Sequence, residues 1–331
     1  MASQSLIANS DNPDTTDRNN NFYDNIETHS LTGGEIELTG ELENSGKTDF
    51  TALPKRSVIV KETLLNEDGT NSFVGAYRYD GYSLFDILTE RYPNKKNKEE
   101  FPPVIDLYAE ITNDRGDTVL LSWGEIFYPT VLNRILIATD VARIVPSKTN
   151  ELWPLPTERK LVVASDLITD RNISNPVKIT IKSWDEKIPV NRDISPFYSP
   201  GITFSTGNET FLTLESQPEV FQEETFHTIF YGKGRGIHST EPFTGVYLKE
   251  LLISHVPLSR KSLQQSLVLV IGADGYRSVF SLSEIMNRND QAEVLLITGK
   301  RDEEGGLFRI FAAGDFFSDR AVKAISEIQV R

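Results

Sequence analysis

Apolar residues in this chain occur in short runs that are typical of β-strands more often than of helices. Ser57–Leu65 is a β-branched apolar run that lies between Pro54 and the turn Asp68-Gly69. A short helix is predicted after Ser83, because this serine can cap the free amides and Asp86 suits the positive end of the helix. The pattern therefore predicts strands with occasional short helices.

Two turns predict β-hairpins. Asp114-Arg115-Gly116-Asp117 separates the apolar runs Leu107–Thr112 and Thr118–Ser122, and Ala273-Asp274-Gly275-Tyr276 repeats the turn later in the chain. Further predicted strands are Ile135–Thr139, Leu161–Ala164 and Val177–Lys182. Strands with a few short helices on one side predict an α+β fold.

An internal repeat relates the two halves of the chain. Lys160–Lys182 aligns without a gap on Arg309–Arg331, and two upstream blocks align in the same order. The identical pairs are Ala164/Ala313, Asp166/Asp315, Asp170/Asp319, Arg171/Arg320, Ile179/Ile328, Gly116/Gly275, Ser122/Ser281, Glu125/Glu284, Ile126/Ile285, Leu136/Leu295, Thr139/Thr298, Gly81/Gly245, Leu84/Leu248 and Leu88/Leu252. The period is far longer than that of a solenoid, so the sequence predicts two tandem copies.

The repeat and the composition together predict four segments. They are a disordered polar lead (1–33), a first copy (34–184), a linker (185–203) and a second copy (204–331). The lead is rich in Asn, Asp, Ser and Thr and has little apolar periodicity. Pro189, Pro196 and Pro200 mark the linker.

Charge and composition exclude several classes of protein. The 331 residues contain 34 Lys+Arg and 48 Asp+Glu, a net charge of −14, which argues against nucleic-acid binding. No cysteine is present, which excludes disulfides, thiolate metal sites and a cysteine nucleophile. No apolar run is long enough to span a membrane. The partners predicted are a small anionic ligand or another protein.

The start of the chain lacks a secretory signal, because no basic stretch followed by an apolar segment is present. Two interpretations stay open: a cytoplasmic protein, or a mature extracytoplasmic protein whose signal has been removed. A polar tether often follows an export signal, which favours the second.

Several motifs in the same order resemble the molybdopterin-binding domain of the sulfite oxidase family. These are Ile36–Leu42 with Phe50–Pro54, Thr244–Leu252, Ala273–Tyr276 with Phe280–Leu282, and the block from Phe308 to Ile328. The resemblance covers most of both copies. It implies an α+β, sulfite-oxidase-like fold that occurs twice in tandem.

The resemblance also implies a metal ligand that this chain lacks. Family members bind molybdenum through a cysteine at the end of the strand before the Gly-Val helix. That strand corresponds to Glu224–Tyr231 in the second copy and to Ser57–Leu65 in the first, and neither contains cysteine. We therefore expect no cofactor, with molybdopterin retained only in an alternative interpretation in which an oxygen ligand replaces the thiolate.

The resemblance places a cofactor pocket at a glycine-rich basic stretch, and no catalytic or metal-binding residue is predicted. The candidate ligand-binding residues are Gly232, Lys233, Gly234, Arg235, His238, Arg320 and Lys323. Glycines permit close backbone approach, and the cations attract an anion. An exposed, solvated loop is the alternative. For the repeated pairs Asp170-Arg171 and Asp319-Arg320, a structural role is favoured over ligand contact.

The leading hypothesis is a non-catalytic binding protein derived from a molybdopterin-dependent oxidoreductase fold, with an anionic ligand. One alternative is a molybdopterin-dependent oxidoreductase with a non-cysteine metal ligand, which requires a surviving cofactor pocket. The other is a scaffold or interaction protein, which requires an exposed apolar patch instead of a deep pocket.

Overall fold

The computed structural model describes residues 27–146, 148–298 and 306–331. Its secondary structure is 42% strand and 11% helix, in small sheets arranged like a four-bladed β-propeller. The prediction of an α+β fold with two sulfite-oxidase-like domains is therefore wrong. The physical reason is that each described α-helix has only five or six residues. Such short helices cannot form a layer that covers a sheet, so the sheets bury each other's apolar faces.

The described residues of the first half form two five-stranded sheets. Their strands are β1 (His29–Ser30), β2 (Glu37–Gly40), β3 (Gly46–Lys47), β4 (Arg56–Leu65), β5 (Asn71–Ser83), β6 (Leu107–Asn113), β7 (Thr118–Ser122), β8 (Ile135–Arg143), β9 (Lys160–Val163) and β10 (Pro176–Ser183). One sheet has the order β1-β8-β5-β4, with β9 also paired to β8, and the other has the order β3-β2-β10-β6-β7. Strand β10 runs parallel to β2 and antiparallel to β6.

The second half contains two comparable sheets and a separate hairpin. Its strands are β11 (Ile202–Thr206), β12 (Glu209–Leu214), β13 (Glu224–Phe226), β14 (Phe230–Gly232), β15 (Gly236–Ser239), β16 (Phe243–Tyr247), β17 (Leu267–Gly272), β18 (Arg277–Ser281), β19 (Val294–Thr298), β20 (Phe308–Ala312) and β21 (Ile325–Val330). The sheet orders are β12-β11-β21-β17-β18 and β13-β16-β19-β20, while β14 pairs with β15. Strand β21 runs parallel to β11 and antiparallel to β17.

Short helices follow several of these strands. They are α1 (Leu84–Leu88), α2 (Trp123–Phe127), α3 (Leu248–Leu252), α4 (Arg260–Gln265) and α5 (Leu282–Met286), with 3-10 turns at Val104–Asp106 and Ser318–Arg320. The helix predicted after Ser83 is confirmed as α1, and Ser83 Oγ accepts a hydrogen bond from the Asp86 amide at 3.0 Å. Both predicted hairpins are also confirmed, as β6-β7 and β17-β18.

The strand order in the two halves is the same. The β2-β10-β6-β7 arrangement corresponds to β11-β21-β17-β18, and β4-β5-β8-β9 corresponds to β13-β16-β19-β20. Two glycines matched in the sequence repeat show a shared packing requirement. A Cβ atom at Gly81 would lie 2.1 Å from the carbonyl oxygen of Ile137, and one at Gly245 would lie 2.4 Å from that of Leu296. Glycine therefore lets the neighbouring strand approach closely in both halves.

Each half has its own apolar core, and a smaller cluster joins the halves. Trp184, at the end of the first half, packs with Leu267, Leu269 and Val279 of β17 and β18. This contact joins the β3-β2-β10-β6-β7 sheet of the first half to the β12-β11-β21-β17-β18 sheet of the second half. The domain limits predicted from the sequence stay a prediction.

Three further sequence predictions have these outcomes. The predicted strand Glu224–Tyr231 is divided into β13 and β14. Within the predicted lead 1–33, residues 29–30 form β1, which pairs with β8, whereas residues 1–26 lie outside the described residues. Among the described helices, none has the length and apolar character needed to cross a membrane.

Candidate functional site

A capped helix occurs at equivalent positions in the two halves. Ser122 caps α2: its Oγ accepts a hydrogen bond from the Glu125 amide at 2.9 Å, and Glu125 Oε1 accepts one from the Ser122 amide at 2.8 Å. Ser281 caps α5, and its Oγ accepts from the Glu284 amide at 3.1 Å. These S-x-x-E sequences satisfy amides that the first helical turn leaves free.

Each half also contains an arginine held by an aspartate five residues earlier. Arg171 donates to Asp166 through Nε at 2.7 Å and through Nη2 at 2.6 Å. Arg320 donates to Asp315 through the same two nitrogens, at 2.8 and 2.6 Å. Such bidentate pairs fix the orientation of the guanidinium plane. Each arginine also pairs with the glutamate of its own half, Glu125 or Glu284.

The two sets are joined across the interface between the halves. Ser122 Oγ donates to Glu284 Oε2 at 2.8 Å, and Arg320 Nη1 donates to Ser122 Oγ at 3.3 Å. In the opposite direction, Arg171 Nη1 donates to Ser281 Oγ at 3.0 Å. The helix cap of each half therefore binds the charged side chains of the other. We call these eight residues the interface network: Ser122, Glu125, Asp166, Arg171, Ser281, Glu284, Asp315 and Arg320.

The interface network is nearly inaccessible to solvent and carries unbalanced charge. The side chains of Arg171 and Arg320 are each 1% exposed. The ring of Phe280 also packs against the Arg320 guanidinium, 4.3 Å from its centroid. The network has four carboxylates and two guanidinium groups, so its formal charge is −2 when every group is ionised. Buried charge of this kind is costly unless protons or further cations offset it.

The pKa values of the two glutamates respond differently to this excess charge. Burial, together with repulsion from the Glu284 and Asp166 carboxylates, raises the pKa of Glu125 to about 7. The attraction of Arg171 acts in the opposite direction but is outweighed. Burial acts in the same direction on Glu284, but Arg320 and a hydrogen bond from Ser122 lower its pKa below the ordinary value. Glu125 therefore takes up a proton near neutral pH, and burial raises the pKa values of Asp166 and Asp315 as well.

A cavity of about 220 Å³ lies beside the interface network and between the two halves. Residues of both halves line it: Glu125, Pro129, Thr130, Val131, Arg134, Ser165, Asp166, Glu284, Arg288, Asp290, Ala292, Ala313 and Gly314. We call it the interface cavity. Backbone bridges between Pro129 and Asp315 and between Asp166 and Arg288 flank it.

One wall of the interface cavity has two arginines on a single aspartate. Arg288 donates to Asp290 through Nε at 2.9 Å and Nη2 at 2.8 Å, and Arg134 pairs with the same carboxylate from the other half. Gly314 makes room for this arrangement, because a Cβ atom there would lie 2.9 Å from Arg288 Nη2. The interface cavity is therefore lined both by carboxylates of the interface network and by the guanidinium groups of Arg134 and Arg288.

The glycine-rich stretch predicted to bind a ligand lies elsewhere, in the β14-β15 hairpin. Lys233, Gly234 and Arg235 form its exposed turn. His238 lies against Gly232, since a Cβ atom on that glycine would be 2.3 Å from the His238 Nε2 atom. Among the described residues, no group of three or more His, Asp and Glu side chains is arranged to hold a metal ion.

The two remaining predicted ligand-binding residues do not complete a pocket with the hairpin. Arg320 is buried in the interface network and paired with two carboxylates. Lys323 is exposed. Lys233 and Arg235 lie on a projecting turn. With no cysteine and no uncommitted buried cation at these positions, the predicted residues do not fit a molybdopterin and its phosphate.

In the sequence, the interface network is visible only as four pairs of identical residues in the two copies. Every member of the interface network belongs to an identical pair in the internal repeat. The repeat matches indicate a duplication, and the structure shows that these eight also form a shared buried network. Arg134, Arg288 and Asp290 had no such signal, because their equivalents in the other half are different residues.

Replacing Arg320 with methionine should lower the free energy of unfolding by about 3–5 kcal/mol, because Asp315 and Glu284 would stay buried without their partner. Urea unfolding measures the change. The exposed Lys323→Met is the matched control and should change stability by less than about 0.5 kcal/mol. Equal effects of the two substitutions would show that the buried pairs contribute nothing.

Replacing Glu125 with glutamine should remove a pH-dependent loss of stability. Because folding raises the pKa of Glu125 from 4.5 to about 7, its contribution is present below pH 4.5 and is lost as the pH rises to about 7. The wild-type protein should therefore lose up to about 3 kcal/mol relative to Glu125→Gln across this range. Urea unfolding at a series of pH values measures the difference, and parallel curves would contradict the assignment.

No family model, curated protein or solved structure matches this chain. The resemblance to the sulfite oxidase family therefore stays a prediction, although the fold that it implied is wrong.

Proposed function

We propose that this protein is a non-catalytic binding protein that holds a small polar ligand in the interface cavity. The observation that carries the proposal is a cavity lined by charged side chains of both halves. Its lining includes the carboxylates of Glu125, Asp166 and Glu284 and the guanidinium groups of Arg134 and Arg288. A concave site between two structural units, with polar groups that converge on it, is a common location for ligand binding.

The interface cavity is favoured over two larger clefts of the described residues. One cleft of about 710 Å³ is lined by residues between 40 and 187, and another of about 880 Å³ by residues between 43 and 91. Neither lining includes a residue of the second copy (204–331). The interface cavity is also next to a carboxyl group whose pKa is strongly raised, and such groups are concentrated at functional sites. Its carboxylates are held by arginine pairs, which supports a role in binding instead of a role in proton transfer during turnover.

Filling the interface cavity should abolish ligand binding without unfolding the protein. Ala292 lines the cavity, and Ala292→Leu would occupy part of the 220 Å³ with a branched side chain. The measurement is ligand-observed NMR against a defined panel of small amino acids, hydroxy acids, amines and polyols. At least one panel member should bind the wild type and lose binding in Ala292→Leu.

The matched control for this test is Ala52→Leu. Ala52 is exposed and lines the first-half cleft of about 880 Å³, so its replacement should leave binding in the interface cavity unchanged. If no panel member binds, or if both variants bind equally well, the interface cavity is not the binding site.

A second candidate function is docking of a protein partner at the β14-β15 hairpin. Ile229, Ile237 and Phe316 are 64%, 66% and 51% exposed. Tyr231 connects them, because it pairs with Ile237 across the hairpin and its ring centroid lies 5.6 Å from that of Phe316. An exposed apolar patch beside the cations Lys233 and Arg235 is typical of an interaction surface. This candidate gives the predicted basic stretch a role without a pocket.

Replacing Ile237 with serine should reduce recovery of any specific partner by at least about tenfold, since buried apolar anchors dominate binding energy. The measurement is quantitative affinity recovery from cells that express the protein, followed by mass spectrometry. Leu152→Ser is the control, because Leu152 is similarly exposed in the first half. Equal recovery with both variants would contradict the candidate.

A further inference from the structure

The interface cavity has an excess of positive charge on one wall. Arg134 and Arg288 share the carboxylate of Asp290, so this trio carries a formal charge of +1. Within the described residues, Arg288 uses Nε and Nη2 for Asp290, and Arg134 uses Nη1. A guanidinium group has five N–H donors, so both side chains keep donors for a ligand carboxylate.

The carboxylates that line the interface cavity have the opposite excess of charge. Glu125, Asp166 and Glu284 line it and belong to the interface network, whose formal charge is −2 when all its groups are ionised. Carboxylate oxygens accept hydrogen bonds and attract a cation. Arg288 offsets part of this charge, because it acts on Glu284, Asp166 and Asp315, and a ligand ammonium group beside the carboxylates would offset the remainder.

These two regions select against singly charged ligands. A simple anion near Arg134 would leave the lining carboxylates without a cation, and a simple cation near Glu125 would leave the free N–H donors of the arginines without an acceptor. A neutral polar molecule would displace water without offsetting either charge. We infer that the interface cavity takes a small zwitterion with an ammonium and a carboxylate group, such as an α-amino acid, and this inference rests on the function proposed above.

The size of the interface cavity agrees with this class of ligand. A volume of about 220 Å³ corresponds to about seven water molecules at 30 Å³ each. A small amino acid has a comparable number of non-hydrogen atoms. Thr130 and Ser165 also line the cavity and provide hydroxyl groups for a polar side chain. The apolar Val131, which is 49% exposed, lies where the cavity opens to solvent.

Isothermal titration calorimetry with three nearly isosteric probes tests the inference. L-Alanine is the zwitterion, L-alaninamide retains only the ammonium charge, and L-lactate retains only the carboxylate charge. L-Alanine should bind about tenfold to a hundredfold more tightly than either, because each analogue lacks one charge-assisted interaction. Arg134→Gln should weaken L-alanine by about tenfold and leave L-alaninamide unchanged, whereas the exposed control Arg192→Gln should alter neither.

The outcomes separate this inference from the proposed function. If L-lactate binds as tightly as L-alanine and Ala292→Leu blocks both, the ammonium site is wrong while the binding function stands. If none of the three probes binds, but another panel molecule binds the wild type and loses binding in Ala292→Leu, the zwitterion class is wrong and the function stands. If nothing binds in that manner, both are overturned.

Discussion

The reciprocal contacts between Ser122 and Glu284 and between Arg171 and Ser281 connect the two halves through buried charge. Ion pairs at this depth are stable only when each partner is present and well oriented, because an unpaired charge loses its hydration without compensation. The capping serine of each half hydrogen-bonds a charged side chain of the other half. The position of one half relative to the other, and hence the shape of the interface cavity, follows from this network.

The interface network also explains why the interface cavity is polarised. Its arginines do not balance its carboxylates, and burial raises the pKa values of Glu125, Asp166 and Asp315. Arg134 and Arg288 also line the cavity and share the Asp290 carboxylate, and Arg288 helps to lower the pKa of Glu284. Charged groups of both signs therefore line a small space. Such an arrangement suits a ligand with both charges more than the simple anion suggested by the basic hairpin.

Local elements could be predicted from the sequence because their signals are local. The Ser83 cap and the two hairpin turns act over a few residues, and all were confirmed. The predicted fold class was wrong because helices of five or six residues are too short to form a layer that covers a sheet. For the site, the repeat identified Arg171 and Arg320 and favoured a structural role for them. It did not identify their partners, because Asp166 and Asp315, not the adjacent Asp170 and Asp319, hold the guanidinium groups.

The sequence by itself determined the strands, the turns, the helix caps and the repetition of eight network residues, since these depend on backbone preferences and on identity between the halves. Only the tertiary structure decided that the caps cross between the halves and that Arg134, Arg288 and Asp290 meet there. Glu125 is distant from Ser281 along the chain, and Arg134 is distant from Asp290, so their proximity depends on how whole sheets pack. Packing also decided that the basic hairpin projects into solvent while the buried arginines serve carboxylates of the protein.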